Sequence, residues 1–252
     1  MALPKEIGDA AQDANRDRVM AWLVDAGGSI NDVDEDGYTL LHCCVCGDRD
    51  SAVIGDEHVA LVRQLIALGA DVNIPTTNSV FGDGYGSYTA LHEVSRKYGI
   101  RQAALEMLSL LFRAGANVNA RDSNDHTPLF VAIKYPSELR TTIITELLRA
   151  GASLDACGGD ETAEDIMQRT ESVRPNLADN EHWLATKRLV AGVRKYGTYK
   201  KYMRAPHRDV LAVRGLAQRG KLSTEHRALN FLARLGDNGV CWHILSFWRA
   251  TN

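Results

Sequence analysis

Gly115-Ala116-Asn117-Val118-Asn119 is one of four copies of a short motif that recurs along this 252-residue chain. The related copies begin at Gly27, Gly69 and Gly151. A second motif, Thr-Pro-Leu-Phe at residues 127–130, begins 12 residues after Gly115 and has counterparts at residues 39–42 and 89–92. Motifs that recur about every 20–50 residues are typical of solenoid proteins, in which each unit buries its apolar face against its neighbours. The sequence therefore predicts a stack of repeats.

The residue types in the two motifs favour a pair of helices in each repeat. Thr39 and Thr89 are suited to cap the N-terminus of a helix, and Pro128 suits the first turn, where no N–H is needed. The motif glycines can adopt the left-handed conformation that ends a helix. Apolar residues recur at helical spacing between the motifs, as at residues 59–66 and 143–148. We therefore predict an all-α fold.

Together the two motifs resemble the ankyrin repeat, whose signatures are Thr-Pro-Leu-His and Gly-Ala-Asp-Val-Asn. The resemblance covers roughly residues 14–160. It implies an ankyrin-repeat solenoid of about four irregular repeats. The apolar content of residues 198–252 further predicts a C-terminal helical appendage. We expect helices within residues 5–33 and at about residues 181–196 to cap the stack. Residues 1–197 would then form one domain and residues 198–252 a basic helical segment.

The spacing of the motifs departs from the family pattern in two kinds of place. Nine, five and three extra residues lie between the paired helices of successive repeats. Eight more enter one hairpin, within residues 78–87, which are rich in glycine and carry Phe81 and Tyr85. Insertions in a solenoid map to loops, often on the binding face. The enlarged hairpin is therefore the least generic part of the repeat region.

The resemblance implies a non-enzymatic module that binds a partner protein through its concave face. In the family, this face consists of hairpin tips and the exposed ends of the first helices. We expect the matching side chains here to be mostly exposed, with tyrosine and arginine as anchors. The predicted partner-binding residues are Glu35, Asp36, Tyr38, Phe81, Tyr85, Tyr88, Arg96, Lys97, Ser123, Asn124, His126, Lys134 and Tyr135.

The polar clusters in the sequence do not predict catalysis. His42 and His92 stand at the family's Thr-Pro-Leu-His position, where the imidazole bridges the turn and the neighbouring backbone, and Phe130 replaces it in the next copy. The cysteines at residues 43–46 lack a second ligand pair at zinc-site spacing and suit a core. The glycine-rich residues 82–86 lack the Lys-Ser/Thr of a phosphate-binding loop. We predict no enzyme activity, cofactor or metal.

Composition favours a reducing compartment. Hydrophobic residues make up 45% of the chain and charged residues 24%, as in soluble globular proteins. The N-terminus resembles neither a signal peptide nor a transit peptide, and no run approaches the roughly 18 apolar residues that span a membrane. The five cysteines suit free thiols better than a disulfide framework. We expect a cytoplasmic or nuclear protein.

Charge is distributed unevenly along the chain. Residues 198–252 carry a net charge of +7 and residues 1–197 a net charge of −10, which suggests two surfaces with two partners. Residues 196–204 interleave aromatic and cationic side chains, as segments that bind nucleic acid do. Such cations more often form the solvated face of a helix or match an acidic body, so we do not expect nucleic-acid binding.

The C-terminal segment leaves alternative functions open. Residues 211–222, 232–236 and 244–248 loosely resemble the SOCS box, a module that follows ankyrin repeats in one family and recruits ubiquitin-ligase subunits. The signature cysteine of that module is Arg214 here. The alternatives to a binding module are a substrate adaptor that recruits a ligase through this segment and a structural subunit of a larger assembly. Residues 65–73 also resemble sites of asparaginyl hydroxylation in ankyrin hairpins.

Overall fold

The computed structural model describes residues 2–47, 54–77, 86–96, 101–134, 137–155 and 157–205. The chain divides into two compact units, Met1–Ala191 and Gly192–Asn252. Throughout the described residues the regular structure is helical, and only isolated β-bridges such as Val33 with Thr39 occur. The predicted all-α fold is therefore confirmed.

Ten α-helices and one 3₁₀ turn (Pro175–Leu177) lie in the described part of the chain, apart from a helical segment at residues 199–205. Their bounds are α1 Lys5–Gln12, α2 Arg16–Asp25, α3 Leu40–Cys46, α4 Asp56–Ala67, α5 Ala90–Arg96, α6 Arg101–Arg113, α7 Pro128–Lys134, α8 Glu138–Ala150, α9 Ala163–Val173 and α10 Glu181–Tyr196.

The helices of the first unit stack in two rows. The first helices of successive pairs, α1, α3, α5, α7 and α9, each contact the next and form an inner row. The second helices α4, α6 and α8 form an outer row, and each helix also packs on its own partner. Short helices such as α3 and α5 are marginal alone, so burial between neighbours stabilises them. The stack of helix pairs confirms the predicted solenoid.

The motif residues act as the sequence analysis predicted. Thr39 caps α3 by accepting a hydrogen bond from the backbone N–H of His42 at 3.3 Å. The motif glycines Gly27, Gly69, Gly115 and Gly151 have φ angles of +68°, +95°, +85° and +101°. Side chains rarely adopt such angles, so glycine is needed where each outer helix ends.

Helix α10 matches the predicted span. Its residue Thr186 contacts α8 through a hydroxyl–hydroxyl bond to Thr141 at 3.1 Å, and Lys187 pairs with Glu171 of α9 at 2.7 Å. Trp183 is fully buried. These contacts cover the end of the stack, as a capping helix should.

Several predictions fall outside the described residues. The connections between paired helices, at residues 47–55, 97–100 and 135–137, lie mostly there. So do most of the enlarged hairpin and the segment that resembles a SOCS box, within residues 206–252. The predicted division at residue 197 stays a prediction.

Candidate protein-interaction surface

Two hairpins share the same local geometry. In the first hairpin, at residues 34–38, Oδ1 of Asp34 accepts hydrogen bonds from the backbone N–H groups of Asp36 at 3.0 Å and Tyr38 at 2.8 Å. In the third, Oδ1 of Asp122 accepts from Asn124 and His126, both at 2.8 Å. A carboxylate that bonds backbone N–H groups further along holds a tight turn. Each hairpin tip is therefore held in one conformation from within.

The middle hairpin is closed by a different residue. Thr76 stands where the other two hairpins have the aspartate, and its hydroxyl accepts a hydrogen bond from the backbone N–H of Tyr88 at 3.0 Å. The backbone N–H of Thr76 donates to the carbonyl of Tyr88 at 2.8 Å, and that of Ser87 donates to the carbonyl of Thr76 at 2.8 Å. Both ends of the enlarged hairpin are thus fixed at its base, although residues 78–85 lie outside the description.

Hydrogen bonds also join neighbouring hairpins into one row. Thr77 donates its N–H to the carbonyl of Asp36 at 3.0 Å, and Ser123 donates to the carbonyl of Gly86 at 3.0 Å. Gly159 donates to the carbonyl of Asp125, again at 3.0 Å. We call these linked turns the finger row. Because each turn is bonded to the next, the tips keep fixed relative positions.

Three tip side chains have no partner in this part of the chain. Glu35 and Asn124 are exposed, and Asp36 is half-buried. The backbone groups of Asp36 and Asn124 are engaged in the turns, but none of these three side chains makes a hydrogen bond or ion pair with a described residue. Two carboxylates and one amide are therefore available to an external ligand.

The expected exposure of Tyr38 and Tyr88 is wrong. Their exposed fractions are 3% and 4%. The ring of Tyr38 meets that of His42 edge-on with centroids 5.7 Å apart, and Tyr88 stacks on His92 at 5.5 Å. These tyrosines are buried because each covers the imidazole of its own repeat, and neither can anchor a partner as an exposed side chain.

His126 occupies the equivalent place in the third hairpin. It is half-buried and stacks on Phe130 with ring centroids 3.7 Å apart. Its Nδ1 lies 3.2 Å from Oδ2 of Asp122. Burial alone would raise the pKa of Asp122, but hydrogen bonds from His126 and Asn124 outweigh it and lower that pKa. Asp122 is therefore a negatively charged support for the third turn.

The predicted residues at the inner-helix ends are partly engaged. Arg96 is half-buried, lies 3.3 Å from Oε2 of the buried Glu93, and places its guanidinium 6.0 Å from the ring centroid of Tyr88. Burial would lower the pKa of Arg96, but the charge of Glu93 outweighs it and raises that pKa. Lys134 is half-buried at the end of α7. Phe81, Tyr85, Lys97 and Tyr135 lie outside the described residues.

Buried Arg140 was missed by sequence reasoning. Its guanidinium donates to the carbonyl of Val131 at 3.0 Å and to that of Arg96, so it joins the C-terminal ends of α7 and α5. Terminal carbonyls of a helix lack partners within the helix. An arginine at the start of an outer helix gave no sequence signal of this role, because its partners are backbone groups of two other helices.

The two motif histidines bridge successive repeats, as predicted. Nδ1 of His42 accepts from the N–H of Thr39 at 3.3 Å, so Nε2 carries the proton and donates to the carbonyl of Tyr88 at 3.1 Å. His92 makes the same contacts with Thr89 and with the carbonyl of His126. Burial lowers the pKa of each histidine to about 4. Both imidazoles are therefore neutral structural links.

The asparagines of the recurring motif form a second ladder. Oδ1 of Asn73 accepts from the N–H of Asn117 at 2.7 Å, and its Nδ2 donates to the carbonyl of Gly115 at 3.1 Å. Oδ1 of Asn31 and Oδ1 of Asn119 accept from the N–H groups of Asp71 and Ser153 in the same way. The recurrence of Asn in the motif is the feature of the sequence that could have predicted this ladder. Hydroxylation of Asn73 stays a prediction.

The cysteines within the description are core residues. Cys43, Cys44, Cys46 and Cys157 are buried. Burial raises the pKa of Cys44 far above its ordinary value, so its thiol stays protonated. Among the residues that the structure describes, no cluster of His, Cys, Asp or Glu could hold a metal ion.

Comparison with protein families identifies the repeated unit. The family model for the ankyrin repeat matches residues 36–77 and 87–123. The fold is an ankyrin-repeat solenoid. Ankyrin repeats generally mediate protein–protein interactions, and ankyrin-repeat proteins are typically non-enzymatic, so these repeats indicate a protein partner. No curated protein matched the chain. Within the described ranges, no helix is both long and apolar enough to cross a membrane.

Proposed function

We propose that the finger row of this ankyrin solenoid, together with the ends of its inner helices, binds one partner protein without catalysing a reaction. The observation that carries this proposal is that the side chains of Glu35, Asp36 and Asn124 make no hydrogen bond or ion pair with a described residue. They lie on a row of turns that are bonded to one another. Polar groups on turns that are already held in place lose little entropy on binding. We propose that this surface corresponds to the concave face, because hairpin tips and the ends of the first helices form that face in the family.

The proposed face has two chemically distinct ends. Glu35 and Asp36 make the first tip acidic, whereas Ser123 and Asn124 offer a hydroxyl and an amide at the third. Such a pattern favours a partner segment with a basic group opposite the first tip and backbone groups opposite the third. Arg96 and Lys134 would contribute less, since both are half-buried.

The test compares three tagged forms of the full chain. Partners of the natural form are captured from its own cells, identified by mass spectrometry and purified for affinity measurement. The test variant is Glu35→Ala, Asp36→Ala and Asn124→Ala. We expect it to bind the purified partner at least about tenfold more weakly, because removing a polar interface contact typically costs about 1–3 kcal/mol.

A matched control carries Arg18→Ala, Gln102→Ala and Arg113→Ala, which are exposed positions on α2 and on the outer-row helix α6. The control should keep the natural affinity within about twofold, and both variants should melt like the natural protein, because surface changes of this kind usually cost under about 0.5 kcal/mol. Unchanged affinity of the test variant for every partner would refute the proposed face.

A further inference from the structure

The cations of the two units differ in what they contact. In the first unit, most of the arginine and lysine side chains with a defined partner are paired with carboxylates. These pairs are Arg16–Asp17, Arg63–Glu106, Arg96–Glu93, Arg121–Asp125, Arg149–Glu146, Arg169–Glu161 and Lys187–Glu171. Paired cations attract an external anion weakly, because their charge is already largely neutralised. In the described part of the second unit, Lys195, Lys200, Lys201 and Arg204 form no such pairs.

Residues 192–205 form a basic helical hairpin. The end of α10 is followed by Gly197, with φ +83°, and by Thr198, whose hydroxyl accepts from the N–H of Lys201 at 3.2 Å. Residues 199–205 are again helical. A Cβ at Gly192 would clash with Cε2 of Tyr202, so the ring of Tyr202 packs directly on the α10 backbone. The two helices therefore hold a defined arrangement.

Four exposed cations of this hairpin have no carboxylate partner among the described residues. They are Lys195, Lys200, Lys201 and Arg204. The sequence contains no Asp or Glu between residues 182 and 205, so no acid within the hairpin itself can neutralise them. Like charges on one short hairpin repel one another, and a set of cations of this kind is stabilised by an anionic ligand. Whether the cations were paired or free could not be read from the sequence.

Tyrosine rings are interleaved with these cations. Tyr196, Tyr199 and Tyr202 are half-buried, and the ring of Tyr202 lies 6.2 Å from that of Tyr196 and 6.4 Å from that of Tyr199. The ammonium group of Lys195 lies 5.4 Å from the ring centroid of Tyr196. Rings that are partly exposed among cations are suited to single-stranded nucleic acid, in which phosphates meet the cations and bases meet the rings.

An anionic membrane fits this hairpin less well. A helix that lies in a membrane interface needs an apolar face. Among residues 192–205, Met203 is the one large apolar side chain that is exposed, with an exposed fraction of 43%. The other exposed side chains of these residues are cations and Thr198, so they do not form such a face.

We infer that the hairpin of residues 192–205 binds single-stranded nucleic acid through its phosphate backbone, without sequence preference. This inference goes beyond the proposed protein recognition and does not depend on the finger row. For single strands the logarithm of the binding constant falls with the logarithm of salt concentration by about 0.7 per phosphate contact. Four contacts would give a slope of about −3.

The test uses the full chain and a fluorescently labelled oligouridylate of about 20 nucleotides, followed by anisotropy from about 50 to 300 mM salt. The test variant is Lys200→Gln, Lys201→Gln and Arg204→Gln. We expect at least about 30-fold weaker binding at the lowest salt concentration and a slope shallower by about 2. A second variant, Lys195→Gln with Lys200→Gln, should show an intermediate loss and serves if the triple variant does not fold.

The matched control is Arg63→Gln, Arg149→Gln and Arg169→Gln, which changes the net charge equally at exposed but paired positions. It should bind like the natural protein. If the control binds the oligonucleotide as weakly as the test variant does, net charge alone explains the loss of binding and the inference is overturned. The inference is also overturned if the natural protein does not bind the oligonucleotide. The same holds if it binds phosphatidylserine vesicles through the hairpin but does not bind the oligonucleotide.

Discussion

The junction between α5 and α7 differs from the junction between α7 and α9. In the first, the buried imidazole of His92 links Thr89 to the carbonyl of His126. In the second, Phe130 stands in place of the histidine, stacks on His126, and leaves the hydroxyl of Thr127 to donate to the carbonyl of Cys157 at 3.1 Å. The same stacking of repeats is thus achieved once with a polar link and once with an apolar one. The polar link should make the free energy of unfolding depend on pH. The apolar link should make it depend on how well the side chains at the junction fit together.

The largest effect should come from acid. The pKa of His42 and that of His92 are lowered to about 4 by burial, whereas in the unfolded chain each is near the ordinary 6.5. Above pH 6.5 both states are neutral and nothing changes. As the pH falls from 6.5 to 4, the unfolded state binds protons that the folded state excludes, so stability is lost. The loss should approach roughly 3 kcal/mol per histidine, measured by urea unfolding at several pH values.

A double variant with Phe at residues 42 and 92 provides the control. It should be less stable at neutral pH, but its stability should fall much less between pH 6.5 and 4. An equally steep fall in this variant would show that other groups cause the acid sensitivity.

His92→Phe alone should cost about 2–3 kcal/mol at pH 7. The buried hydroxyl of Thr89 and the carbonyl of His126 lose their partner, and unsatisfied buried polar groups are costly. Denaturant unfolding at constant pH measures this cost. A change below about 0.5 kcal/mol would mean that an apolar ring serves this junction as well as it serves the next one.

Gly158→Ala should destabilise the apolar junction by about 1–3 kcal/mol. A Cβ at Gly158 would lie 2.7 Å from Cδ2 of Phe130, which is too close without movement of the ring. Combining this change with Phe130→Ala should remove most of the added cost, because the ring that clashes is gone. If the effects of the two changes are additive, the strain does not arise between the new Cβ and the ring of Phe130.

Asn73→Ala should have the smallest of these effects, about 1–2 kcal/mol. It removes two hydrogen bonds that join neighbouring turns, to the N–H of Asn117 and the carbonyl of Gly115. Asn124→Ala is the matched control, because that exposed amide bonds no described residue, and it should change stability by less than about 0.5 kcal/mol. Equal thermal unfolding of the two variants would contradict the role of the asparagine ladder.

Local features were accessible from the sequence, and contacts between distant residues were not. The capping role of Thr39 and the helix-ending role of Gly69 follow from residue type and position, because both act within a few residues of the chain. The bridging role of His42 was predicted through the ankyrin resemblance. The tips of the finger row could be placed on their turns, but the burial of Tyr38 and Tyr88 could not, since it depends on the imidazole that each ring meets.

By itself, the sequence determined that helix pairs recur and stack, because period, caps and apolar spacing are local properties that each copy of the motif repeats. Only the tertiary structure decided which polar side chains are consumed by the fold and which are left for a ligand. Asp34 and Asp36 are two residues apart and chemically alike, yet one carboxylate holds a turn and the other has no partner among the described residues. The physical reason is that a hydrogen bond requires a donor at the right distance and angle, and only the folded chain puts one there.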